Sequence, residues 1–109
     1  MAFIDRTEFD AVIMRLKQVI QPIVARHWGG GDKLSWRLMR TIELEAVCEL
    51  QKAGDLNPIC INLIRPTPAF GYPESDDPVD FGKSNAIAYS YSMIYEAYKR
   101  LHGEHGVAA

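Results

Sequence analysis

This chain of 109 residues has no long apolar run, no basic excess and only two cysteines, and each lack removes a class of function. A membrane-spanning helix needs roughly 20 consecutive apolar residues, and no stretch here approaches that, so no membrane span is expected. Twelve Lys and Arg against fourteen Asp and Glu leave a net charge of −2. The broad positive field that gathers nucleic-acid phosphates is therefore missing, and DNA binding stands well behind other readings. Cys48 and Cys60 sit in apolar stretches without CxxC spacing, which reads as two buried free thiols in a reducing compartment. The opening Met1-Ala2-Phe3-Ile4-Asp5 lacks the basic-then-apolar order of a secretory signal, and a cytoplasmic location is the expectation.

Motifs that carry chemistry are equally scarce. Gly29-Gly30-Gly31 follows a helix pattern instead of a strand and lacks the lysine of a phosphate-binding loop. Ser84, Ser90 and Ser92 have no nucleophile-elbow context. His102 and His105 straddle Gly103, which is expected to end a helix there, and with His27 and Cys48 they do not make a standard metal-ligand spacing. Asp76-Asp77-Pro78-Val79-Asp80 lacks the alternating oxygen ligands and the glycine of a calcium loop. No catalytic residue, metal or cofactor is assigned, and a non-enzymatic role is expected.

Helical periodicity dominates what is present. Asp5 reads as an N-cap with Glu8 in the capping-box position. Phe9, Val12, Ile13, Leu16, Val19, Ile20, Ile23 and Val24 then form one apolar stripe. Pro22 interrupts the pattern without ending it, which predicts one kinked helix closing near Trp28. Asp32 or Ser35 opens a second helix that buries Leu38, Met39, Ile42, Ala46, Leu50 and Ala53, flanked by Trp36 and Val47, and stops at Gly54. Asn57-Pro58 favours a short helix over 59–64, although its isoleucines also suit a strand. Ser84 is expected to cap the last helix. Its seam is Ile87, Tyr91, Ile94, Tyr98 and Leu101, with Ala86, Ser90 and Ala97 on a flank that allows close approach. Tyr95 shares the tyrosine edge, and Tyr89 points to the polar side. The expected fold is a single mainly α domain of three to four helices, or α+β if 59–64 is a strand.

Residues 65–83 are different in kind, with four prolines, two glycines and three aromatics among acids. A regular helix or central strand is excluded there. Residues 55–83 hold five acids and two bases, so the net charge of the chain comes from this region. Surface loops are usually solvated, with their aromatics pinned to the scaffold. The functional alternative is a recognition loop in which Phe70, Tyr72 and Phe81 anchor a partner while Glu74, Asp76, Asp77 and Asp80 steer a basic one. Opposite in sign, Lys33, Arg37 and Arg40 project together near the start of the second helix, where the helix dipole disfavours cations. That face reads either as solvated and balanced by Glu43, or as a phosphate site completed by Trp36.

The leading expectation is therefore a protein-interaction module. It would engage its partner through 66–82 and self-associate through helix faces, the last-helix seam Ile87, Tyr91, Ile94, Tyr98 and Leu101 included. A small-ligand or nucleotide-phosphate binder using Lys33, Trp36, Arg37 and Arg40 is the alternative.

Overall fold

The computed structural model describes residues 5–28, 34–64, 78 and 89–105, with side chains up to Leu101. They form four helices, α1 (Arg6–His27), α2 (Trp36–Ala53), α3 (Pro58–Leu63) and α4 (Tyr89–His105), and no strand occurs among the described residues. The domain is mainly α, and the ambiguous segment after Asn57 is helical.

Local chemistry explains each start and stop. The Asp5 carboxylate accepts from the Thr7 amide at 2.7 Å and caps α1. The reciprocal half of the expected capping box is not made. Glu8 instead accepts from the Asn57 side-chain amide at 2.8 Å, tying the first turn of α1 to the cap of α3. α1 runs on through Pro22, which is exposed, so the Gln18 carbonyl that loses its donor lies on the solvent side. Ser35 caps α2 by accepting from the Leu38 amide at 3.1 Å, and Gly54 ends it with a φ of 73°, a left-handed turn that a side chain would strain. Asn57 caps α3 by accepting from the Ile59 amide at 2.9 Å, with Pro58 in the first turn, where a missing N–H costs nothing.

α1 is the central helix and packs against the other three. Its buried side chains are Val12, Leu16, Val19, Ile20, Ile23 and Val24, with Phe9 and Ile13 half-buried at the edge of the stripe. α2 runs antiparallel to it: Glu45 meets Arg26 and His27 near the end of α1, while Ala53 and Leu56 share a groove with Ala11 and Met14 near its start. α4 follows α1 in the same direction, with Tyr89 edge-on to Phe9 at 5.4 Å and Tyr98 edge-on to Trp28 at 6.4 Å. Such edge-to-face pairs add about 0.5–1.5 kcal/mol each beyond simple burial.

Several expectations need correction. The buried arc of α2 is rotated from the one expected. Met39, Ile42, Glu43, Ala46, Val47 and Leu50 are buried, whereas Leu38 is half-buried and Ala53 exposed. Glu43 is thus a fully buried carboxylate and not a solvated counterion for the basic face. Cys48 is exposed, and only Cys60 is buried; Cys48 falls on the outer side once Val47 turns inward. In α4 the seam residues Tyr91, Ile94, Tyr98 and Leu101 belong to the core of the single chain, each 7 % exposed or less, which leaves them no free surface for a second subunit. Ile87, the fifth, and the expected cap Ser84 lie outside the described residues. Helical backbone also continues past Gly103 to His105; one glycine inside a helix costs only about 1 kcal/mol relative to alanine.

Candidate functional site

The acidic aromatic segment lies almost wholly outside the described residues, and with it Phe70, Tyr72, Glu74, Asp76, Asp77, Asp80 and Phe81. Lys33 does too. Described residues on either side of the segment are joined, the Ser90 amide donating to the Ile64 carbonyl at 3.2 Å. Between them, Pro78 stands opposite Ser35 in an isolated antiparallel bridge. Ser35 is the cap of α2, so the bridge sets Pro78 beside the helix turn that carries Trp36 and Arg37.

On that turn the expected basic face is already engaged. Arg37 and Arg40 each interact within the chain, and the Trp36 ring rests 6.4 Å from that of Tyr91, tilted by 49°. These side chains do not line either of the two principal depressions among the described residues.

The larger depression is an open groove of about 610 Å³ between α1 and the end of α2, lined by Ala11, Met14, Arg15, Gln18, Ala53, Asp55 and Leu56. Nothing in the sequence pattern singles out Ala11 or Met14. Met14 is 64 % exposed. Arg15 donates to Gln18 at 3.2 Å along one wall, and Asp55 stands on the other. The smaller depression, about 170 Å³, lies between α1 and α4 over Ile20 and Ala97, with Lys17, Gln21, Glu96 and Arg100 around it and Met93 at one side.

Next to the larger groove, α3 turns an apolar face outward. Ile59 and Leu63, one turn apart, are 47 % and 49 % exposed, and Tyr89 at the start of α4 is 52 % exposed. Large apolar groups left in water near one another are the usual mark of a recognition surface. Their opposite numbers on α3, Cys60 and Ile61, are buried. The apolar composition of 59–64 thus serves two faces, which is why its periodicity was unreadable.

Titratable groups are few here. Glu45 accepts from Arg26 at 2.7 Å and from His27 at 2.8 Å. Partial burial pushes its carboxyl upward, but the two hydrogen bonds and the charges of His27 and Arg26 outweigh that and hold it below the ordinary value. Burial, helped by the charges of Glu8 and Asp5, pushes the Cys60 thiol up and makes it a poor nucleophile. Among the described residues Glu43 and Ser90 are the buried polar ones, and the Ser90 hydroxyl has no hydrogen-bond partner there. No group of three or more His, Cys, Asp or Glu side chains suited to a metal ion occurs among the described residues. No described helix is long and apolar enough to cross a membrane.

No curated protein and no solved structure matches the chain. A family model matches residues 4–108, nearly its whole length. The chain, with four helices among its described residues and an apolar face on α3, belongs to the family described as Protein of unknown function (DUF2471).

Proposed function

We propose that this domain is a non-catalytic protein-interaction module. The observation that carries the reading is the apolar face of Ile59 and Leu63 on α3, held beside the Ile64–Ser90 bond that joins the described residues on either side of the acidic aromatic segment. Burying the exposed half of two such side chains in a partner stabilises a complex by about 1 kcal/mol each, before the cost of association. The partner would meet this face with apolar groups and the acidic segment with basic ones. In that arrangement Phe70, Tyr72 and Phe81 are the aromatic anchors, and Glu74, Asp76, Asp77 and Asp80 raise the association rate.

Site-specific photocrosslinking in the source cell tests this. A photoreactive residue at Leu63 and another at Phe70 should capture the same protein, and one at Lys17, beside the α1/α4 depression, should not. Capture of nothing at Leu63 and Phe70, or of the same proteins at all three positions, sinks the proposal.

A further inference from the structure

We infer that the α1/α2 groove is a homodimer interface, in which a second copy of this chain packs its own Met14 into the hollow between Ala11 and Ala53. The inference deepens the interaction-module reading by naming one partner, and it rests on that reading only for the premise that the domain works by association. The groove carries a knob and a hole on the same surface. Met14 projects, 64 % exposed, beside Ala11 and Ala53, whose single methyl groups leave the hollow. An unbranched methionine is the side chain best able to adapt to a shallow hollow of this kind.

Its charges are also self-complementary. Arg15 stands on the α1 wall and Asp55 on the α2 side. Arg15 and Asp55 form no ion pair with each other among the described residues, and the Gln18 bond uses only one of the five guanidinium donors of Arg15. A groove of single sign would ask for a partner of opposite sign. One cation facing one anion across the groove asks for the same pattern reversed. A two-fold axis supplies it, setting Arg15 of each copy against Asp55 of the other. The described part of the α4 seam, by contrast, is buried inside the chain.

Sedimentation equilibrium over a wide concentration range, with helix content and melting temperature as controls, tests the inference. The wild type should dimerise. Met14→Glu should give a folded monomer. Arg15→Asp and Asp55→Arg should each weaken the dimer tenfold or more, and the two together should restore it. A wild type that stays monomeric, a dimer that survives Met14→Glu, or a double charge reversal that fails to rescue would overturn it. Photocrosslinking at Leu63 separates this failure from that of the wider reading. A monomeric wild type that still captures a different protein there leaves the interaction module standing and removes only the homodimer.

Discussion

The Ser90 amide donates to the Ile64 carbonyl at 3.2 Å, and that bond draws together two residues separated by the whole proline-rich segment. Because Ile64 and Ser90 are already bonded, the fold does not need the residues between them to span any distance. Deleting residues 66–83 joins Arg65 to Ser84 and shortens the connection several-fold, which by closure entropy alone favours the folded state by about 1 kcal/mol. We expect the deletion variant to keep the helix content of the wild type and to melt within a few degrees of it, while losing capture of a partner. A variant that unfolds would mean that the segment serves the scaffold and that its acids and aromatics are not a recognition loop.

The two cysteines separate by the same test that any thiol reagent offers. Cys48 is exposed on α2 and Cys60 is buried with its thiol pushed up. The thiolate is the reactive form, so burial and a raised pKa both slow Cys60. Native protein should therefore take up one equivalent of a maleimide quickly and the second only in denaturant. Mass spectrometry of the labelled peptides checks the assignment; prompt labelling of Cys60 in native protein would show that the α3 contacts open readily.

Legibility in the sequence followed the physics of each segment. The α1 stripe from Val12 to Val24 was readable because a long run at helical period leaves little choice of buried face. Ser35, Gly54 and Asn57-Pro58 were readable because caps and stops depend on local backbone chemistry. Tertiary choices were not. Whether Val47 or Ala53 turns inward, and so whether Cys48 and Glu43 lie in water, depends on how α2 rolls on α1. The role of the α4 seam was misjudged for a related reason. A stripe that is apolar enough for a subunit interface is equally suited to a core, and only the packing of α1 and α2 around Tyr91 and Tyr98 decides between them. The groove at Met14 and Asp55 gave no signal, since its residues come from α1, the end of α2 and the connection after it, and are ordinary in each.

Glu43 offers the sharpest test of that misjudged face. It is fully buried on α2, and it is engaged within the chain. Removing a fully buried side chain leaves a cavity, and any polar group that it engages loses its partner as well. Glu43→Ala should cost about 3 kcal/mol or more in urea unfolding, since it also leaves a cavity. Glu43→Gln keeps the shape and one acceptor and should cost about 1–2 kcal/mol. Surface substitutions at Glu49, which is half-exposed and pairs with Lys52 at 3.4 Å, should stay within about 0.5 kcal/mol. Equal, small effects at positions 43 and 49 would contradict the burial.

Glu45 gives a prediction in pH. Its carboxyl titrates below its ordinary 4.5 because Arg26 and His27 hold the ionised form. Across that window the unfolded chain binds more protons than the folded one, so stability rises with pH. The contribution is complete well above 4.5 and disappears as pH falls through the lower, folded value. Glu45 is 37 % exposed, so solvent screens the pair and its worth is at most about 0.5 kcal/mol. Glu45→Gln should thus be slightly less stable than wild type near neutral pH and match it in acid, with the neutral-pH gap shrinking in about 1 M salt. Urea unfolding of both proteins along a pH series measures it. Two curves that keep a constant separation from neutral pH into acid would show that the ionised Glu45 does not hold α1 to α2.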